Sequence, residues 1–196
     1  GMMAAMKSET GTVGFIGGMD IPIIDRFGCG YVQGVKAVNP DAKVIYNMTG
    51  STPSAWADPV KGGELTKAQI SQGADIVYHA AGGTGVGVLQ AAADAGILAI
   101  GVDKNQNHLH PGSVLTSMVK RVDTGVYDAF KAGADLAGGF ATLSLANGGI
   151  SYAMDEHNVG LVTKAMVDAV EEAKAQIISG ELKVHDYMSD SSCPVK

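Results

Sequence analysis

The chain is poor in cysteine, in basic residues and in long apolar runs. Only two cysteines, Cys29 and Cys193, occur in 196 residues. One pair is too few for a disulfide framework and no CxxC is present, so neither a cystine-stapled scaffold nor a thiolate metal site is indicated. The general burial tendency of cysteine favours a buried, unpaired Cys29 and an exposed Cys193 in the polar tail over a bridge between them. Lysine and arginine number 14 against 20 aspartates and glutamates, a net charge of −6. Phosphate backbones are gripped by clustered cations, so no nucleic-acid partner is indicated. No apolar run approaches the ~20 residues that span a bilayer, and no signal-peptide pattern opens the chain.

Catalytic signatures are also missing. There is no GxGxxG spacing and no GK[ST], hence neither a dinucleotide fingerprint nor a Walker loop. HExxH and GxSxG are absent, and no nucleophile–base–carboxylate order stands out. His108 and His110 lie two apart in "NQNHLHPG". That spacing could chelate, but a polar loop favours solvated histidines over a metal site. The sequence therefore indicates no catalytic residue, no metal ligand and no cofactor.

What the chain does have is a folded composition, with 46% hydrophobic and 17% charged residues. Short apolar runs at 12–18, 42–49, 74–82, 97–103 and 112–120 read as strands. Between them, 22–38, 58–73 and 85–96 read as helices. In the first, Ile24, Phe27, Tyr31, Val35 and Val38 share a face; in the second, Leu65, Ala68 and Ile70 point inward, with Gly73 as the stop. The opening "GMMAAMKSETG" reads as the last turns of a helix. After residue 122 follow a helix, a hairpin around Asn147-Gly148-Gly149, a long amphipathic helix ending at Gly180, and a polar tail.

Continuous Val/Ile-rich strands separated by helices imply parallel strands covered on both faces. Right-handed crossovers then give a doubly wound α/β sheet. In such a sheet a ligand sits beyond the carboxyl ends of the strands. Those ends carry Gly17-Gly18-Met19-Asp20, Thr49-Gly50-Ser51-Thr52, Ala81-Gly82-Gly83-Thr84 and Val102-Asp103. The glycines of "AAGGTGVG" serve either a tight, closely packed turn or direct approach to a ligand. The motif holds no basic residue, which argues against phosphate. Asp103 ends an apolar strand, where a carboxylate suits acceptance from vicinal hydroxyls. Lys120 ends the next strand and could donate to the same hydroxyls or pair with Asp103. Trp56, the single tryptophan, lies in the loop "TGSTPSAWADP", where its ring packs on the protein or stacks on a flat ligand.

The segments "GTVGFIGGMDIPIIDRF", "KGGELTKAQISQGADIVYHAAGGTGVGVLQAA", "AIGVDKNQNHLHPGSVLTSMVKRVDTGVYDA" and "KAQIISGELKV" together resemble the basic membrane protein (PnrA-like) family of ABC-transporter substrate-binding lipoproteins. The resemblance runs over nearly the whole chain. It implies a type I periplasmic-binding fold, in which two α/β lobes close on a ligand by a hinge. It also implies a purine nucleoside or related purine as ligand and an ABC permease with its ATPase as partners. No catalysis is implied. In the matching positions Asp103 and Lys120 would hold the ribose, Gly82 would contact the ligand through its backbone, and Trp56 would take the place of a stacking phenylalanine. The family's first lobe has no counterpart here. The resemblance thus divides the chain into the end of a helix (1–11), one ligand-binding lobe (12–122) and C-terminal elements returning toward the other lobe (123–196). Half a cleft is expected to bind nucleosides weakly or not at all. The implied location is periplasmic or lipid-anchored at a bacterial cell envelope. A receptor for a free base or a sugar, and a cytoplasmic ligand-sensing regulator of the same fold, are the alternatives.

Overall fold

Five parallel strands and one antiparallel edge strand make a single sheet in the computed structural model, which describes residues 1–195. The strands are β1 (Thr12–Met19), β2 (Lys43–Gly50), β3 (Ile76–Ala80), β4 (Leu98–Gly101), β5 (Val114–Lys120) and β6 (Ile150–Tyr152). Their order is β2-β1-β3-β4-β5-β6, with only β6 antiparallel to its neighbour. The helices are α1 (Met2–Lys7), α2 (Pro22–Val38), α3 (Pro59–Ser71), α4 (Gly85–Asp94), α5 (Val122–Ala132) and α6 (Lys164–Ser179).

The apolar strand runs follow from burial on both faces. On one face Val13, Phe15, Ile76, Tyr78, Ile100 and Leu115 form a core with α1, α2 and Met166 of α6. On the other, Ile16, Ile45 and Val77 pack on Val88 of α4, and Ala99 and Val114 on Leu89 and Ala92. The two sets come from alternating strand positions, as a period of two requires. The chain steps from β1 out to β2 and back across to β3. The strand order therefore reverses between β1 and β3, the place at which doubly wound sheets bind ligands beyond the carboxyl ends of their strands.

Three expectations are corrected. The inward face of α3 is Gly62, Thr66 and Gln69, with Leu65 half-buried, whereas Ala68 is exposed. Gln69 is drawn in because its amide donates to the carbonyls of Phe15 (3.0 Å) and Ile45 (3.3 Å) and to Asn47 Oδ1 (2.9 Å), so hydrogen bonding outweighs hydrophobicity. The hairpin around Asn147-Gly148-Gly149 does not form. Asn147 accepts from the Ser144 N–H and donates to the Thr142 carbonyl, which diverts the first arm from a ladder. The second arm pairs with β5 instead.

The third correction concerns cysteine. Cys29 and Cys193 are joined in a disulfide, with Cα atoms 5.7 Å apart. Their distance in sequence is no guide, because the tail folds back along α2. Gln33 donates to the His185 carbonyl and accepts from the His185 N–H, and Arg26 pairs with Asp186 at 2.8 Å. By contrast α5 buries none of its residues: Val122, Val126 and Phe130 face away from the core.

A candidate ligand-binding edge

Gly82, Asp103 and Lys120 converge at the carboxyl edge of β3, β4 and β5. They line one depression of about 680 Å³, together with Gly83, Val102 and Gln106. The Lys120 ammonium lies 2.7 Å from Asp103 Oδ1, and both side chains are about half exposed. The Lys120 N–H donates to the Asp103 carbonyl at 2.9 Å, which ties the two strand ends together. The ammonium also stands 5.7 Å from the centroid of the Phe27 ring.

Asp103 adopts φ +69°, a left-handed conformation that a non-glycine residue rarely takes. Aspartate tolerates it better than most residues, at a cost of order 1–3 kcal/mol that the surroundings must offset. The backbone on either side is held: Val102 N donates to Gln106 Oε1 at 2.8 Å, and Lys104 N to the Val102 carbonyl at 2.8 Å.

Trp56 does not line this depression. It is half-buried and packs on the core from the loop after β2. Its ring covers Gly18 at the end of β1, where an added Cβ would lie 3.1 Å from Cη2. It also borders Gly82, whose Cβ would lie 3.5 Å from the ring Cε3. The indole therefore caps the β1/β3 switch point, and Gly82 is the residue shared between it and the Asp103–Lys120 pair.

The glycine cluster divides by role. Gly82 turns the chain at φ +55° and faces the depression with Gly83. Gly85 and Gly87 serve packing. A Cβ on Gly85 would lie 2.8 Å from His79 Cγ, and one on Gly87 would lie 2.6 Å from the Pro59 carbonyl carbon.

Beneath the edge lies a set of polar residues that no sequence motif marks. His79, Gln106, Asn107 and Ser117 are all buried. His79 Nε2 lies 3.0 Å from Gln106 Oε1, Gln106 N donates to Ser117 Oγ at 3.0 Å, and Ser117 Oγ donates to Asn107 Oδ1 at 2.8 Å. The available signal was a histidine inside the apolar run "ADIVYHAAG". Burial pushes the His79 pKa down from 6.5 to about 4, against smaller opposing effects of the Gln106 hydrogen bond and the Asp103 charge. The unfolded chain therefore takes up a proton, as pH falls from about 6.5 to 4, that the native chain refuses. The associated stability is complete above about 6.5 and is lost on acidification through this window, an effect of about 3 kcal/mol at most. Denaturant unfolding at several pH values checks it: His79→Gln should show a flatter pH dependence than the parent, and identical slopes would refute the assignment.

No helix of the described residues is long and apolar enough to cross a membrane. Among them no group of three His, Cys, Asp or Glu could hold a metal ion.

The geometry has clear relatives. The family model for PnrA-like ABC transporter substrate-binding proteins matches residues 1–187. An ABC transporter nucleoside-binding protein, BmpA, from Lactococcus lactis is 36% identical over 94% of this chain and 56% of its own length. A CD4+ T-cell-stimulating antigen from Listeria monocytogenes is 36% identical over 94% of this chain and 55% of its own. The chain thus spans about half the length of the curated relatives it matches. Among solved structures, an ABC transporter solute-binding protein from Aeropyrum pernix superposes with a TM-score of 0.81 at 28% identity, over 93% of this chain and 61% of that one. A transcriptional activator of the comK gene from Bacillus halodurans gives a TM-score of 0.79 at 27% identity, over 94% and 62%. The chain belongs to the Bmp family of PnrA-like ABC transporter substrate-binding proteins.

Proposed function

We propose that the chain supplies one wall of a purine-nucleoside site in the binding component of an ABC importer. The observation that carries this reading is the Asp103–Lys120 pair beside the Gly82 turn at the carboxyl edge of the sheet. A carboxylate accepts two hydrogen bonds from vicinal hydroxyls, and an adjacent ammonium donates to one of the same oxygens. The pair is neutral as a unit, which suits an uncharged ribose better than a phosphate. Gly82 exposes backbone, and Trp56 offers an indole next to it for stacking on a base. The nucleoside-binding description of the Lactococcus lactis relative supports the same class of ligand.

In this reading residues 12–122 form the ligand-binding lobe. Residues 1–11 and 123–196, including the uncovered apolar side of α5, join it to a second lobe that completes the cleft. A permease and its ATPase are the transport partners, and the site works without chemical conversion of the ligand. The proposed location is outside the cytoplasm, periplasmic or lipid-anchored. The Cys29–Cys193 disulfide supports that compartment, since such bonds persist where thiols are not kept reduced. The likeness to a transcriptional activator favours a second reading, a ligand-sensing regulator; that role in the cytosol would leave the disulfide unexplained.

Fluorescence of the single tryptophan reports on the site. Adding a purine nucleoside at millimolar concentration should change Trp56 emission, and Asp103→Ala should weaken the response tenfold or more. The loss of hydrogen bonds to a charged group, worth about 1.5–3 kcal/mol, sets that factor. A response equal for parent and Asp103→Ala would remove Asp103 from the site.

A further inference from the structure

We propose that Gln106 is a positioning residue that holds the Asp103 carboxylate in register with the Gly82 turn and with Lys120. The inference rests on the nucleoside reading above for its consequence, but not for its geometry.

The side-chain oxygen of Gln106 meets two groups, Val102 N at 2.8 Å and His79 Nε2 at 3.0 Å. A backbone N–H can only donate, so the atom it meets is the amide oxygen and not the nitrogen. An oxygen only accepts, so His79 Nε2 carries the proton and Nδ1 is the bare nitrogen. His79 Nδ1 is buried and has no hydrogen-bond partner among the described residues. It lies against Gly85, where the ring fills the place of a Cβ. His79 therefore touches the glycine loop on one side and Gln106 on the other.

Gln106 reaches a third strand through its backbone. Its N–H donates to Ser117 Oγ at 3.0 Å, and Ser117 lies three residues before Lys120 on β5. One residue thus contacts β3 through His79, the end of β4 through Val102, and β5 through Ser117. These are the strands whose ends carry Gly82, Asp103 and Lys120. The contact at Val102 matters most, because the next residue, Asp103, occupies the uncommon left-handed conformation. That bond fixes the Gly101–Val102 peptide, and the Val102 carbonyl accepts from Lys104 N at 2.8 Å, so the chain is held on both sides of Val102 and Asp103 has less freedom to relax to an ordinary φ. A glutamine that only filled space would need no acceptor at this point.

Two replacements separate positioning from filling. Gln106→Met keeps much of the volume and loses the acceptor; Gln106→Glu keeps the acceptor. The first readout needs no ligand. Nitrogen NMR of the parent should show His79 protonated at Nε2, and Gln106→Met should shift the Asp103 amide and its φ-dependent backbone coupling, with Gln106→Glu closer to the parent. A parent His79 protonated at Nδ1 overturns the proposal, and so does an Asp103 coupling unchanged in Gln106→Met. If Gln106→Met does not fold, Ser117→Ala, which removes the β5 anchor, should shift the same Asp103 signals, and no shift there overturns the proposal. The second readout is the ratio of affinities for a ribonucleoside and its dideoxy analogue, which lacks both hydroxyls. Positioning predicts that Gln106→Met lowers this ratio tenfold or more, whereas a merely structural glutamine would change the melting temperature and leave the ratio alone. A parent with no preference between the two nucleosides would refute the nucleoside reading, while the ligand-free readout still decides the role of Gln106.

Discussion

Reducing the Cys29–Cys193 disulfide is expected to lower stability by about 2–5 kcal/mol, the loss typical of a native bridge. The bond joins residues 164 apart in sequence, so it closes nearly the whole chain into one loop. Loop-closure entropy grows only slowly with length, but at this length it approaches about 5 kcal/mol in the unfolded state. The native contacts near the bridge cannot replace it. The Arg26–Asp186 pair is half exposed and contributes about 0–1 kcal/mol. The two Gln33–His185 hydrogen bonds add about 1 kcal/mol each. Denaturant midpoints with and without reductant, and for the double variant Cys29→Ala/Cys193→Ala, measure the effect. Coincident midpoints would show that the bridge carries no stability.

Gly87→Ala is expected to cost about 2–3 kcal/mol, although alanine is the better helix former by about 1 kcal/mol. Gly87 in α4 faces the first residue of α3, and an added Cβ would sit 2.6 Å from the Pro59 carbonyl carbon. A side-chain neighbour could rotate aside, but a backbone neighbour moves only with its helix. The same contact is tight from the other direction, since a Cβ on Gly62 would lie 3.1 Å from Thr84 Cγ2. Moving α4 away from α3 would also disturb Val88 and Leu89, which are buried in the two clusters on that face. Gly30→Ala in α2 is the control, because nothing lies within 4 Å of its Cβ position. There the propensity gain should appear undiminished, as stabilisation of about 0.5–1 kcal/mol. Thermal unfolding of the two variants gives opposite signs if the account holds; a Gly87→Ala variant as stable as the parent would contradict it.

Much of the sheet was legible because the central strands β1, β3 and β4 are buried on both faces and glycine or asparagine follows the ends of α2 to α6. The run "TVGFIGG" sits within β1, and Asn39 ends α2 as its C-cap. What escaped the sequence was what long-range contacts decide. Ala68 and Gln69 are adjacent on α3, and hydrophobicity favours the alanine inward. The opposite occurs because the Gln69 amide finds two strand carbonyls and Asn47. The arm before Asn147 had strand character, but the Asn147 side-chain bonds to the Ser144 N–H and the Thr142 carbonyl hold it off the open edge of β6. The cysteines could be counted but not paired, because nothing local announces that the tail returns to α2. At the ligand edge the strand-end rule drew attention to Gly82, Asp103 and Lys120, which do lie together. The His79–Gln106 bond beneath them involves residues 27 apart. Each reads alone as an ordinary polar residue, and only the packed structure joins them.

The most direct measurement is an amide-resolved NMR titration of the chain with inosine and, separately, with dideoxyinosine. The account predicts that inosine perturbs the amides of Gly82, Asp103 and Lys120 and the indole N–H of Trp56. It also predicts that the dideoxy compound does so at least tenfold more weakly, because the diol that Asp103 and Lys120 would hold is gone. Equal responses to the two compounds, or perturbations confined to residues away from the Asp103–Lys120 edge, would contradict it.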